Sequence, residues 1–162
     1  MTAAEGAARQ AEIARIVQEA GVPIIGPNCL GVMNGNRGML ASSTVVMGGR
    51  NLPAGNYGLV TQSGALGTYW LDMAMKACLG VSSWVSTGNE ADVDLAACLD
   101  YLVEDEETEV IGLYIEGGER WSWIFEQFYA AHRSDFGFMS RSKPQSWFLS
   151  SMGFGWGQQA MG

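Results

Sequence analysis

An α/β protein built on a doubly wound parallel sheet is predicted by three features of this 162-residue sequence. Apolar runs containing Val, Leu and Ile recur at 57–61, 81–86 and 110–115. Helix-length segments with apolar side chains at helical spacing separate them, at 65–78 and 93–103. Small polar residues and glycine gather at the carboxyl end of these runs, as in Gln62-Ser63-Gly64 and Gly88-Asn89. Strands joined through such helices pair in parallel, with right-handed crossovers.

The elements follow in order from the amino terminus. Residues 3–20 read as a helix with Ile13, Ile16, Val17 and Ala20 on one side, stopped by Gly21. Val22 to Ile25 reads as a short strand, with Pro23 near its start, where a missing N–H does least harm. Gly26 to Gly31 is a tight loop leaving its carboxyl end. Residues 33–55 are rich in Asn, Gly and Arg, with short apolar pieces only from Met39 to Met47, and read as a hairpin and linker crossing between two units. The βα repeat from residue 57 onward makes half of a flavodoxin-like sheet.

Composition narrows the function. A net charge of −8 with only 9 Lys and Arg argues against nucleic acid or an anionic membrane surface as a partner. The first residues have neither a basic region nor an apolar one, and no run approaches the roughly 20 apolar residues of a membrane span, so a cytoplasmic protein is expected. Cys29, Cys78 and Cys98 are odd in number and irregularly spaced, which suggests neither a disulfide framework nor a zinc site. With a single histidine as well, no metal site is expected.

The turn after residues 57–61 carries the chemistry. Gln62-Ser63-Gly64 joins a buried strand to a helix opened by Ala65 and Leu66. The first N–H groups of that helix have no internal partner, and with the helix dipole they favour a phosphate or carboxylate. Taken alone, Ser63 is simply a helix cap. Ligands of doubly wound sheets, however, bind outside the carboxyl ends of the strands, and the other unusual residues fall there too. Gly88-Asn89 follows the second strand; by itself it reads as a βα turn, with Asp92 or Asp94 as a helix cap. Glu116 ends the third strand ahead of two glycines, where a carboxylate reaches over the sheet edge to hold a donor such as an imidazole or an amide. The acidic run 104–107 reads as a solvated turn.

Four segments in this order resemble one family. They are Ile24 to Val32 (IIGPNCLGV), Leu59 to Gly67 (LVTQSGALG), Trp84 to Asp94 (WVSTGNEADVD) and Leu113 to Gly117 (LYIEG). Together they are similar to the NDP-forming acyl-CoA synthetases, which include the ADP-forming acetate–CoA ligases and are related to the succinyl-CoA synthetase α subunit. The resemblance implies the end of a CoA-binding Rossmann domain at 1–36, a linker at 37–56 and a partial succinyl-CoA-synthetase-like flavodoxin domain at 57–120. It implies a reversible reaction in which acyl-CoA, phosphate and ADP give free acid, CoA and ATP through a phosphohistidine. By position, Gln62, Ser63, Gly64 and Ala65 would cradle the phosphate, with Gly88 and Asn89 beside it. Glu116 would orient the phosphorylated histidine, and Asn28 and Cys29 would lie near the thiol end of CoA. Cys29 has no neighbour in sequence that favours a thiolate and reads as a neighbour of the ligand. CoA and a small organic acid are the implied ligands, with ATP or ADP and Mg reached through an ATP-grasp domain or a β-type subunit.

The sequence departs from the family at both ends. The glycine-rich phosphate turn of a Rossmann unit is not among these residues. Residues 121–162 lack valine yet hold all six Phe and four of the six Trp, a composition ill suited to a buried parallel strand. An atypical tail, out of frame or otherwise foreign to the family, is therefore expected there, with His132 solvent-facing, in a fragment inactive by itself. Two other functions stand beside the ligase: a nucleotide- or flavin-binding flavodoxin-like module, and a non-catalytic CoA-binding one. A flavin module predicts aromatic side chains stacking beside the site, whereas Trp84 and Tyr114 lie inside strands. A serine hydrolase fits poorly, because Thr61 and Ala65 stand where its G-x-S-x-G elbow needs glycine.

Overall fold

In the computed structural model, residues 3–116 are described, together with the backbone of a short strand at 148–150. The elements among them are α1 (Ala3–Ala20), β1 (Gly31–Asn34), β2 (Met39–Ser42), a 3-10 turn (Val45–Met47), β3 (Tyr57–Thr61), α2 (Gly64–Lys76), β4 (Val81–Ser86), α3 (Leu95–Glu104), β5 (Val110–Tyr114) and β6 (Phe148–Ser150). The expectations for His132 and most of 121–162 lie outside the described residues.

The strands form one sheet in the order β2-β1-β4-β3-β5-β6. At its centre β3 pairs in parallel with both β4 and β5, so that Val60 stands opposite Val85 and Leu113. Successive residues of β3 face opposite sides, and each side is covered. Val60 packs with Ile111, Leu113 and the α3 residues Leu95, Leu99 and Leu102. Leu59 packs with Trp84, Met33 and the α2 residues Leu71 and Ala74. The two crossover helices thus cover opposite faces, as a doubly wound sheet requires.

Three expectations change. Val22 to Ile25 is not a strand; only Ile25 forms a bridge, to Val93. Pro23 offers no N–H, and the Ile24 N–H goes to the Asp92 carboxylate at 2.9 Å instead of to a ladder. The hairpin of β1 and β2 is no mere crossing segment, because β1 pairs antiparallel with β4 and extends the same sheet. The third change is in the tail, where Phe148–Ser150 does pair in parallel, against Gly112–Tyr114 of β5. Three residues at a sheet edge need only backbone hydrogen bonds along one side, which asks less of side-chain propensity than a central strand does.

Candidate functional site at the strand ends

The carboxyl end of β3 turns into α2 through a locked set of small polar groups. Thr61 Oγ1 donates to the Ser63 carbonyl at 2.8 Å and accepts from the Ser63 N–H at 3.1 Å. Ser63, extended at φ −90° and ψ 114°, then accepts the Leu66 N–H on its hydroxyl at 3.4 Å. Ser63 therefore does cap the helix. No hydrogen bond among the described residues uses the amides of Gly64 and Ala65 in the first turn, where an α-helix leaves such donors free. Gly64 is required by packing, since a Cβ there would lie 2.9 Å from Leu30 Cγ, and its φ is not positive. Backbone strain is thus not the reason for this glycine.

Gln62 ties the three strand ends together. Its N–H donates to the Tyr114 carbonyl at 3.1 Å. Its Oε1 accepts the Glu116 N–H at 2.6 Å. Its side chain also hydrogen-bonds Glu90. Glu116 itself is exposed at the end of β5. Ser63, Gly64, Gln62 and Glu116 therefore share one end of the sheet, as their order after the strands predicts.

Gly88 and Asn89 join that end to the loop at 26–31. Gly88 has φ +63°, and a Cβ there would come within 2.5 Å of the Pro27 carbonyl oxygen, so only glycine lets the two loops touch. The N–H of Asn89 donates to Pro27 O at 2.9 Å, and that of Ala91 to Gly26 O at 2.8 Å. The Asn89 side chain accepts from Asn28 Nδ2 at 3.1 Å and donates to Gln10 Oε1 at 3.2 Å. Asn28, itself at φ 57°, thus stands against the βα turn of β4. Cys29 is half-buried, its thiol directed to the Ile25 carbonyl at 3.4 Å.

Glu90 lies within the Trp84 to Asp94 segment, which by sequence alone gives it no role. It is half-buried, at φ 56°, and accepts from Thr87 Oγ1 at 2.7 Å and the Leu95 N–H at 3.1 Å. Burial raises its carboxyl above the ordinary value, and the neighbouring Asp94 charge adds to this; the bonds from Thr87, Gln62 and Leu95 oppose it. Its one sequence signal is an acid set between a Gly-Asn turn and a helix cap. Thr61 and Leu30 were also missed, since their roles depend on contacts between segments distant in sequence. Trp84 is fully buried, with Nε1 donating to Gly67 O at 3.1 Å, and so belongs to the core. Among the described residues no group of three or more His, Cys, Asp or Glu is placed to hold a metal ion, and no helix is long and apolar enough to cross a membrane.

Residues 54–134 match the family model of the succinyl-CoA ligase like flavodoxin domain. The chain is 38% identical over 116 residues to the acetate–CoA ligase [ADP-forming] II subunit alpha of Pyrococcus furiosus, covering 72% of this chain and 24% of that protein. It is 39% identical over 106 residues to the acetate–CoA ligase [ADP-forming] of Methanocaldococcus jannaschii, covering 65% and 14%. The dinucleotide-forming acetyl-coenzyme A synthetase 1 of Ca. Korarchaeum cryptofilum, solved in complex with phosphate and ADP, superposes with a TM-score of 0.65 at 30% identity, covering 75% and 25%. The chain thus spans a quarter or less of the length of these relatives.

Proposed function

The chain belongs to the succinyl-CoA-ligase-like flavodoxin family, and from that premise we propose that the strand ends of β3, β4 and β5 form the phosphate-handling site of an acid–CoA ligase. In the forward direction acyl-CoA and phosphate give acyl phosphate and CoA. The phosphoryl group passes to a histidine, releasing the acid, and then to ADP. The amides of Gly64 and Ala65, beside the Ser63 cap, receive the phosphate oxygens, because helix N-terminal donors favour an anion without a counter-charge that must move. Glu116 orients the imidazole by accepting its distal N–H, which leaves the other nitrogen to attack phosphorus. Asn28 and Cys29, held against the Gly88-Asn89 turn, lie where the CoA thiol arrives. ADP and its Mg belong to an ATP-grasp domain or β-type partner. Two of the similar Pyrococcus furiosus proteins are themselves named alpha subunits, which supports such a division.

The observation that carries this reading is the 2.6 Å bond from the Glu116 N–H to Gln62 Oε1. It ties the carboxylate-bearing strand end to the turn that opens α2. Titration of the ¹⁵N-labelled protein with inorganic phosphate and with acetyl phosphate tests it by NMR. Saturable shifts are expected at the Gly64 and Ala65 amides; a response no larger there than over α3 would remove the phosphate site and the ligase reading with it.

A further inference from the structure

Three donors converge on Glu90: the Thr87 hydroxyl at 2.7 Å, the Leu95 N–H at 3.1 Å and the Gln62 side chain. An ionised carboxylate only accepts, so the end of the Gln62 amide turned toward it is the NH₂ group. The carbonyl end is thereby left for the Glu116 N–H. Each link crosses from one strand end to the next, since Glu90 follows β4, Gln62 follows β3 and Glu116 follows β5. We propose that Glu90 is a positioning residue for Glu116: by accepting from the Gln62 NH₂ it fixes which way that amide points, and so holds the turn that carries the Glu116 carboxylate. Its significance for the reaction rests on the reading of Glu116 as the group that orients the imidazole.

A carboxamide at position 90 isolates this role. It keeps the size of the side chain but offers one acceptor oxygen to three donors and brings two donor hydrogens of its own. Gln62 then loses its reason to present NH₂ to that side, and its flipped amide would set a donor against the Glu116 N–H. In Glu90→Gln, hydrogen exchange at the Glu116 amide should speed up about tenfold, the scale of one lost hydrogen bond, with exchange in β3 and β5 unchanged. A role confined to holding the start of α3 would instead move Leu95 and Ala97 and spare Glu116. Gln62→Leu should produce the same acceleration, and adding Glu90→Gln to it should produce no more. The wild-type protein gives an independent check, in nuclear Overhauser contacts from the Gln62 NH₂ hydrogens to Glu90 and not to the Glu116 N–H. Equal Glu116 exchange in wild type and Glu90→Gln, or the reverse contact pattern, would overturn the inference. Neither result would touch the phosphate titration of Gly64 and Ala65, which tests the ligase reading separately.

Discussion

Leu30 packs directly over Gly64, with its Cγ 2.9 Å and its Cδ1 3.0 Å from where a methyl group on Gly64 would sit. The loop at 26–31 is thereby seated on the first turn of α2. In an open helix, replacing glycine by alanine gains up to about 1 kcal/mol. Here the added carbon must displace Leu30, and overpacking of this kind costs about 1–3 kcal/mol. Gly64→Ala should therefore lower stability in urea unfolding, and the same change made in a Leu30→Ala background should raise it. A coupling below about 0.5 kcal/mol in that cycle would mean that Leu30 yields freely.

The two crossover helices should differ in how much they depend on their caps. Asp94 accepts the Ala97 N–H at 2.8 Å, whereas Ser63 accepts the Leu66 N–H at 3.4 Å. Cap removal costs about 0.5–2 kcal/mol, and the shorter bond to an ionised acceptor belongs at the upper end. Asp94→Ala should thus destabilise more than Ser63→Ala in thermal unfolding. The opposite order would show that the longer Ser63 cap contributes more than its length indicates, because the bonds of Ser63 with Thr61 use its backbone N–H and carbonyl and survive in Ser63→Ala.

The central strands were readable because Leu59-Val60, Val81 to Trp84 and Ile111 to Tyr114 are buried runs that only a covered parallel sheet accommodates. The turn at Ser63 was readable because strand, small polar residues and helix follow one another locally. Val22 to Ile25 was misjudged because its partner is a side chain: the Asp92 carboxylate takes the Ile24 N–H. Glu90 could not be read, since an acid after Gly88-Asn89 looks solvated. Only its left-handed backbone and the arrival of Gln62 from another strand fold it back onto Thr87.

The three thiols should react in order of exposure. Cys78 is exposed, Cys29 is intermediate and Cys98 is buried in the α3 face of the core. Burial pushes the Cys98 thiol up from 9.0 to about 12, with the Glu90 and Asp94 charges adding to it. A thiol held neutral in the fold contributes stability below its unfolded pKa of 9.0 that is lost as pH rises through 9.0 toward 12. Iodoacetamide at neutral pH should label Cys78 first and Cys98 only after unfolding, as mass spectrometry of peptides would record. Labelling of Cys98 at the rate of Cys78 in the folded protein would place it outside the core.

Glu90 should leave its own mark on stability at lower pH. Burial raises its carboxyl above the ordinary 4.5, more than the bonds from Thr87, Gln62 and Leu95 lower it. Within the window between 4.5 and the raised value the folded protein binds more protons at this site than the unfolded chain does. The contribution of Glu90 is thus fully present below 4.5 and is lost as pH rises through its folded value. The stability difference between wild type and Glu90→Gln, from urea unfolding at steps between about pH 4 and pH 8, should accordingly move against the wild type with rising pH and then level off. Movement in the other direction would mean that the three donors outweigh burial, so that the carboxylate is favoured in the fold as an acceptor. In either case the Gln62 amide supplies a discriminating signal: its NH₂ resonances sit beside Glu90 and should titrate at the folded carboxyl's own value, above 4.5 where burial wins and below it where the donors do.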